Sequence, residues 1–395
     1  MSRLEPKVPI AAEEFAARRA AAREAAARRG LDGLLVCSRG GGGLDRYADI
    51  AYLTDHYTSF PFIPDLPGRW SGRAHAFLVL PVAGEPLLVI DLPYAERVAM
   101  PAGQVVIADL VLEKTAECLA QCGLAGAQVG LVGSDTMAVG MFRTLEAALP
   151  GIRWREADDI LSGLRARKSA AEIGRLRAAS RLGSRMIGAM MDAAVPGATH
   201  ADVVAAGMAV LIPAGGMLYN SFMASGTGGN HATAFRATFP TWATEQPLAE
   251  GQWFRAGISG VLHGYCFDLA RSKPIGAVSN RVLEAFEAAI AVVGAGIAAI
   301  RPGATAGAVA RAALAQQEAL GYPLAGVFGG MGHGLGMGWD TPWLTPEQEM
   351  HIEPGMVLCV EKTLTRDGYL GDFEQTVLVT PDGTELLTDA RIRSW

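Results

Sequence analysis

Apolar and polar positions along the first 160 residues form short segments that switch between a helical and a strand period. An Ala-rich segment with interspersed Arg and Glu comes first, and short apolar runs follow it. The sequence predicts helices at 11–30, 110–121 and 137–148 and strands at 33–37, 74–80, 86–90, 128–132 and 152–154. The strand at 86–90 comes after an Ala-Gly-Glu turn, which predicts a hairpin with the preceding strand. This alternation is typical of a small α/β domain.

The second part of the chain contains an internal repeat. The sequence Pro-Gly-Ala-Thr occurs at Pro196–Thr199 and again at Pro302–Thr305. Each copy follows a predicted helix, at 170–193 or 281–300, and precedes an Ala-rich one. Pro-Gly can end the first helix, and Thr can cap the second. The repeat predicts a pseudo-symmetric domain whose halves share one central sheet, with a site on the approximate two-fold axis.

Composition and charge exclude several classes of protein. The chain has 395 residues, enough for two cores, with a boundary expected in the basic stretch before residue 170, giving domains 1–164 and 165–395. The net charge of −6 argues against a nucleic-acid partner. Neither a secretory signal nor a membrane-spanning run is expected. Five scattered cysteines indicate reduced thiols in a cytoplasmic protein, with small buried side chains as their simplest role.

Four ionisable residues stand where the sequence is otherwise apolar or glycine-rich. His333 lies in the segment 329–338, in which six of ten residues are glycine, so its imidazole has little core to pack against. Asp268, Glu361 and Glu374 each interrupt or end a strand-like apolar run. A buried carboxylate is unfavourable unless it is paired or binds a metal. Each acid alone would be read as an outward-facing residue or salt-bridge partner, but together the four indicate a metal or acid/base site.

The order of these residues resembles the pita-bread family, which includes methionine aminopeptidase, prolidase, aminopeptidase P and creatinase. The matching segments are GYCFDLAR around Asp268, GHGLG around His333, IEPGMVLCVE ending at Glu361 and FEQTVLVT containing Glu374. The resemblance covers about residues 168–387, and the first domain looks like the creatinase-type one. It implies an α/β N-terminal domain and an α+β pita-bread C-terminal domain with a pseudo-two-fold internal repeat.

Metal-dependent members of that family hold two metal ions with five ligands in the order Asp, Asp, His, Glu, Glu. By similarity, Asp268, His333, Glu361 and Glu374 correspond to the last four ligands. The first ligand falls eleven residues before Asp268, where this chain has Gly257. The resemblance therefore implies a site for one divalent metal ion (manganese, zinc, iron or cobalt), or no metal at all.

The chain differs from the family pattern at Gly257 and at Asp340, and each difference suggests a role for a nearby or substituted residue. Arg255 should share a strand face with Gly257, so its guanidinium can lean into the vacated position, where it would replace the second metal's charge or bind a substrate carboxylate. An Arg at a strand edge that pairs with a surface acid is the alternative. Metallopeptidase members often have His-Glu seven and eight residues after the site histidine, and this chain has Asp340-Thr341. That difference argues against peptidase chemistry, and Asp340 is placed among the substrate-binding residues.

His231 lies in GTGGNHATAF, which is similar to the creatinase segment that carries the general-base histidine. By this resemblance His231 would be the base, and Glu361 or Glu374 would orient the water or the substrate.

In creatinase-like dimers the N-terminal domain of one subunit reaches the other's active site. The loop 56–73 would therefore recognise an anionic or amino-acid-like substrate, although an ordinary packed loop is the alternative. Its candidate residues are Phe60, Phe62, Arg69, Trp70 and Arg73.

The leading hypothesis is a cytoplasmic, homodimeric hydrolase that cleaves a C–N bond in a small non-peptide substrate, such as a guanidino, amidine or amide compound. The alternatives are an Xaa-Pro dipeptidase or aminopeptidase with a one-metal site, a lyase on the same fold, and a noncatalytic binding module. The expected partner is a small molecule, with no nucleic acid and no membrane.

Overall fold

The computed structural model divides the chain into two compact units. One unit comprises Pro9–Arg165, and the other comprises Met1–Val8 together with Ala166–Trp395. The structure describes residues 4–40, 46–58, 60, 63–92, 98–228, 235–236, 247–324 and 330–395.

The first unit is a six-stranded mixed sheet with helices, and the predicted α/β fold is confirmed. Strand order is β4-β3-β2-β1-β5-β6, and the predicted hairpin of β2 and β3 is antiparallel. The helices are α1 Ala12–Arg28, α2 Ala48–Thr54, α3 Val111–Gln121, α4 Val139–Ala148 and α5 Asp158–Ala166. The strands are β1 Gly33–Arg39, β2 His75–Pro81, β3 Leu87–Ile90, β4 Val105–Ile107, β5 Gln128–Val132 and β6 Arg153–Glu156.

The core of this unit forms because its central strands are apolar and buried. Leu35, Phe77 and Val89 on three adjacent strands pack with Leu119 of α3 and Leu145 of α4. Each such side chain contributes roughly 1.5–3 kcal/mol when fully buried. The apolar runs that predicted the strands are therefore the ones that hold the unit together.

The second unit contains two sheets. Their orders are β10-β9-β7-β8 and β12-β11-β13-β14-β15. The helices are α6 Ala170–Ala193, α7 His200–Leu211, α8 Asn280–Ala299 and α9 Ala306–Ala319. The strands are β7 Met217–Gly226, β8 Phe235–Arg236, β9 Trp253–Leu262, β10 Tyr265–Pro274, β11 Gly332–Leu335, β12 Trp339–Trp343, β13 Val357–Arg366, β14 Tyr369–Thr380 and β15 Gly383–Leu386.

The expectation of one shared central sheet needs correction. In the described part of the chain β10 and β14 lie next to each other but belong to different sheets, and side chains take part in the hydrogen bonds between them. Thr376 Oγ1 donates to the carbonyl oxygen of Asp268 at 2.9 Å. Ser272 Oγ donates to the carbonyl oxygen of Asp372 at 2.9 Å. We call this contact between β10 and β14 the seam.

The two Pro-Gly-Ala-Thr segments cap helices as expected. Thr199 accepts a hydrogen bond from the main-chain N–H of Asp202, whose side chain reaches back to Thr199 in a capping box at the start of α7. Thr305 accepts from the N–H of Ala308 at the start of α9. Such caps are worth about 0.5–2 kcal/mol each.

The turns themselves are also equivalent. Gly197 and Gly303 have φ values of 88° and 84°, which favour glycine. Gly197 N–H donates to Leu248 O at 2.7 Å, and Gly303 N–H donates to Ile352 O at 2.9 Å. The repeat read from four residues therefore extends to the hydrogen bonds around them.

Helix α8 is apolar because it is a core helix of the second sheet. Within the described residues it alone has the length and hydropathy of a membrane-spanning helix. Its Val292 and Val293 are fully buried and pack in one cluster with Leu358, Val360 and Val377 of β13 and β14. This packing accounts for the apolar face of α8.

Candidate metal site

Four strands bring the predicted acids and the histidine together. Asp268 lies on β10, His333 on β11, Glu361 on β13 and Glu374 on β14. Glu361 is directly opposite Glu374, and His333 is opposite Cys359, two residues before Glu361. Because alternate residues share a face, these side chains project from one side of the sheet. Asp268 joins them across the seam, and we call Asp268, His333, Glu361 and Glu374 the acid–histidine cluster.

The spacing of the ligand atoms fits a divalent cation. His333 Nε2 lies 3.6 Å from Asp268 Oδ2 and 3.8 Å from Glu361 Oε1. Ligand atoms of Asp268, His333 and Glu374 all lie within 4.8 Å of one another and of Cys359 Sγ, and Glu361 joins this group through its contact with His333. Glu374 Oε1 is buried and has no hydrogen-bond partner among the described residues. A buried carboxylate oxygen without a donor, beside an imidazole and further acids, is the chemistry that a metal ion satisfies.

Burial shifts the protonation of the acids when no cation balances their charge. It raises the pKa of Asp268 to about 7, although hydrogen bonds from Ser259 and Trp339 act in the opposite direction. Burial likewise raises the pKa of Glu361 to about 7. It raises the pKa of Glu374 well above the ordinary value, with the charges of Asp268 and Glu361 adding to the effect. A bound divalent cation would offset these effects and favour the charged carboxylates.

The orientation of His333 also suits a metal ligand. Its Nδ1 lies 2.9 Å from the carbonyl oxygen of Gly334, which only a protonated Nδ1 can bond. Nε2 therefore carries the lone pair, and it faces Asp268 and Glu361. Burial lowers the pKa of His333, which keeps the ring neutral. A neutral imidazole fixed through its other nitrogen is the form that binds metals.

The glycines around His333 permit close contact between strands. Gly332 has φ 128°, and a Cβ there would lie 1.9 Å from the carbonyl oxygen of Cys359 on β13. A Cβ at Gly334 would lie 2.3 Å from the carbonyl oxygen of Thr341 on β12. The expectation was close approach of a ligand to the backbone, and the closest neighbours are instead the two flanking strands.

Arg255 and Gly257 share a face of β9. A Cβ at Gly257 would lie 3.2 Å from Arg255 Nη2, so the guanidinium occupies the space beside the glycine. Arg255 Nε lies 2.9 Å from Asp372 Oδ2. The side chain of Asp372 is only 5% exposed, so the partner of Arg255 is a buried acid and not a surface one.

Asp340 has an ion-pair partner inside the fold. Lys168 Nζ lies 3.1 Å from Asp340 Oδ2, and their side chains are 1% and 2% exposed. A direct contact between Asp340 and a substrate would require this pair to open. The predicted substrate-binding role of Asp340 therefore receives no support from its surroundings.

The remaining candidates lie outside this cluster or outside the described residues. His231 and Phe62 belong to the parts of the chain that the structure does not describe. In the first unit, Arg73 lies 4.8 Å over the Phe60 ring and donates to Asp91 O at 2.7 Å. Arg69 is exposed and Trp70 is half-buried. A role for these loop residues in recognition stays a prediction.

Two residues near the cluster were not predicted from the sequence. Trp339 Nε1 donates a 2.6 Å hydrogen bond to Asp268 Oδ2. The rings of Trp339 and Trp343 lie 5.5 and 5.4 Å from the ring of His333. The sequence feature that could have identified them is their spacing. Trp339 and Trp343 are four residues apart on the strand directly after the glycine-rich segment, and an even spacing places both side chains on one face of a strand.

Comparison with known proteins covers both units. Residues 174–381 match the model of metallopeptidase family M24, and residues 18–167 match the creatinase/prolidase N-terminal domain. Probable dipeptidase PepE of Mycobacterium tuberculosis is 30% identical over 317 residues, which cover 78% of this chain and 81% of that protein. Ectoine hydrolase of Halomonas elongata is 23% identical, and the match covers 98% of each. The structure is also similar to the crystal structure of dipeptidase PepE from Mycobacterium ulcerans, with a TM-score of 0.77 and 26% sequence identity. The superposition covers 97% of this chain and 98% of the PepE chain.

Proposed function

Since the chain belongs to metallopeptidase family M24, we propose that it hydrolyses the C–N bond of a small, amino-acid-like amide with one divalent cation in the acid–histidine cluster. The predicted family, two-domain architecture and hydrolase class are confirmed. Proteins of this family use one or two divalent metals. The observation that supports the site is the unpartnered, buried Oε1 of Glu374 beside His333 and Asp268.

The residues of the cluster would have two roles, binding the cation and fixing the position of its ligands. Asp268, His333, Glu361 and Glu374 would hold the cation, which supplies a Lewis acid to the scissile amide. Ser259 and Trp339 hold the two carboxylate oxygens of Asp268, so this ligand is fixed before any cation arrives.

Glu361 is the cluster residue best placed to exchange a proton. Its side chain is 34% exposed, compared with 10% for Asp268 and 5% for His333, so solvent reaches it most easily. We assign Glu361 to orienting and deprotonating the attacking water.

His231 is the second candidate base, and its support comes from the sequence. It is framed by small residues in GTGGNHATAF, and imidazole titrates near neutral pH. If His231 is the base, His231→Ala lowers kcat strongly and leaves the cation content unchanged. Glu361→Gln would then affect KM more than kcat. Full activity in His231→Ala would remove His231 as the base.

Two substrate classes fit the reaction. A dipeptide, including an Xaa-Pro dipeptide, is supported by the four retained ligand positions and by the similarity to PepE. A non-peptide amide or amidine is supported by Gly257 in place of an acidic ligand and by the full-length similarity to ectoine hydrolase. The dipeptide fits at least as well as the non-peptide substrate preferred from the sequence.

The decisive experiment measures cation content and turnover together. Purified protein is assayed for bound metals and tested on Xaa-Pro dipeptides, other dipeptides and ectoine, before and after chelation. We expect about one cation per chain and hydrolysis that is lost on chelation and restored by re-addition. Oxygen-18 from labelled water would enter the product of hydrolysis but not the product of elimination. Full activity of cation-free protein would contradict the proposal.

We also propose that the protein is a cytoplasmic homodimer. The support is its resemblance to creatinase-like dimers and its free cysteines, most of which are buried. Light scattering at several protein concentrations tests the dimer, and a single-chain mass throughout would contradict it.

A further inference from the structure

We propose that Arg255 anchors a carboxylate of the substrate, from the space that the missing acidic ligand at Gly257 leaves open. This inference rests on the proposed function, because it gives the substrate of the acid–histidine cluster a defined chemical class. That class is an amide, peptide or non-peptide, with a carboxylate close to its scissile bond.

The position of Arg255 follows from the pairing of three strands. On β9, Arg255 and Gly257 point to the same side, and Gly257 is opposite Phe222 of β7 and Ala270 of β10. Ala270 is two residues from Asp268, so it shares that residue's face. The guanidinium therefore lies on the face of the sheet that carries Asp268.

A buried acid lies beside one edge of the guanidinium. Asp372 Oδ2 lies 2.9 Å from Arg255 Nε, an ion pair in which these two atoms do not form a hydrogen bond. Asp372 Oδ1 accepts a 2.7 Å hydrogen bond from Thr363 Oγ1, and the main-chain N–H of Asp372 donates to Ser272 Oγ. Asp372 is thus held in place by Thr363 and Ser272, and its charge is available to Arg255.

The other edge of the guanidinium remains for a ligand. Among the described residues, the ion-pair partner of Arg255 is Asp372, which lies on the Nε side of the guanidinium. The side chain is 20% exposed although its Nε is buried, so the solvent-accessible part lies elsewhere on the side chain. Two parallel N–H groups match the two oxygens of a carboxylate, which makes an arginine more selective than a lysine.

Arg255 lies beside strand positions that carry the cluster. Its partner Asp372 is two residues before Glu374 and is opposite Thr363, two residues after Glu361. Arg255 therefore lies near the place where the amide would lie. Phe222, which is 44% exposed opposite Gly257, adds an apolar surface beside the guanidinium.

The test compares two probes that differ at one group, L-proline and L-prolinamide. Calorimetry with cation-loaded protein of measured metal content gives the affinity for each. We expect the carboxylate probe to bind about 10- to 100-fold more tightly than the amide, as for a hydrogen-bonded charged pair. Arg255→Gln should bring the ratio close to one. Arg177→Gln is the matched control, because Arg177 pairs with Glu385 on another part of the same unit.

A second variant separates recognition from folding. Arg255→Gln leaves Asp372 as an unpaired buried carboxylate, and Arg255→Gln/Asp372→Asn removes that charge as well. Because the ratio compares two probes on one protein, it does not depend on the folded fraction. Equal affinities in the parent protein, or an unchanged ratio in both variants, would overturn the proposal. If the protein failed to bind a cation but still bound L-proline more tightly than L-prolinamide through Arg255, only the proposed function would be contradicted.

Discussion

Trp339 and Asp268 are joined by a 2.6 Å hydrogen bond from the indole Nε1 to the carboxylate Oδ2. The same oxygen lies 3.6 Å from Nε2 of His333. Trp339 comes from β12 and Asp268 from the other sheet, so this bond connects the two sheets at the candidate metal site. A donor to a ligand oxygen lowers the pKa of the carboxyl group and fixes its direction.

Trp339→Phe should weaken cation binding by about 10-fold at neutral pH, because the loss of a hydrogen bond to a charged group is worth about 1.5–3 kcal/mol. The pKa of Asp268 rises further in this variant, so more protons compete with the cation. Titration of metal-free protein with zinc or manganese measures the effect. Trp343→Phe keeps the Asp268 bond and serves as the control. Equal affinities in the two variants would show that the indole N–H does not support the ligand.

The contribution of Asp268 to the stability of the cation-free protein should fall as the pH rises from about 4 to about 7. Burial raises the pKa of Asp268 from 3.8 to about 7, so in this window the folded protein binds more protons than the unfolded chain. The unfolding free energy then decreases with pH, and the full effect is present above about pH 7.

Thermal unfolding with a chelator measures this dependence, as the difference in Tm between the parent protein and Asp268→Asn. Titrating groups far from Asp268 are common to both proteins and cancel in the difference, whereas the pKa values of Glu361 and Glu374 depend on the charge of Asp268 and change with it. A saturating divalent cation binds the deprotonated acids and should abolish the decrease. Parallel pH profiles for the two proteins without cation would refute the assigned shift.

Gly257→Asp alone should leave the cation content at about one per chain. A Cβ at this position would lie 3.2 Å from Arg255 Nη2, so the new carboxylate would pair with the guanidinium. Gly257→Asp/Arg255→Leu removes that competitor, and we expect the content to rise towards two. Mass spectrometry of metals in purified protein checks both variants. A second cation in Gly257→Asp itself would mean that Arg255 does not control the space.

Arg271→Met should destabilise the second unit by about 3–5 kcal/mol, because it leaves several buried oxygen acceptors without a donor and each such group costs about 1–3 kcal/mol. Arg271 is 1% exposed, and it donates to Glu374 O at 2.6 Å and to Gln375 Oε1 at 2.9 Å. Urea unfolding measures the loss. Arg366→Met is the control, because Arg366 is exposed, and a change below about 1 kcal/mol is expected. A similar loss in both variants would remove the special role of Arg271.

Much of the candidate site could be predicted because polar residues in apolar runs are conspicuous. Asp268 and Glu374 interrupt strands, and His333 stands among glycines, so the sequence alone selected them. The helix at 170–193 was also predicted with its observed bounds, and the structure adds a capping box of Ser169 and Glu172 at its start.

Long-range pairs were harder to foresee. Asp340 was assigned to substrate because it stands where metallopeptidase members have a histidine, and its partner Lys168 lies 172 residues away. The seam was missed for a similar reason. Hydroxyl groups of Ser272 and Thr376 form hydrogen bonds between β10 and β14, and the alternation of apolar and polar residues does not show which strands are joined in this way. Arg255 was placed correctly beside Gly257 because two residues on one strand face need no tertiary information.

The seam divides the ligand set between the two halves of the repeat. Asp268 is encoded before α8, whereas His333, Glu361 and Glu374 are encoded after it. A polypeptide split in the connection between β10 and α8 would yield two pieces, each with an incomplete set of donors. A metal ion bound by donors from both pieces would then favour their association. The fraction of reassembled protein would therefore depend on the free metal concentration.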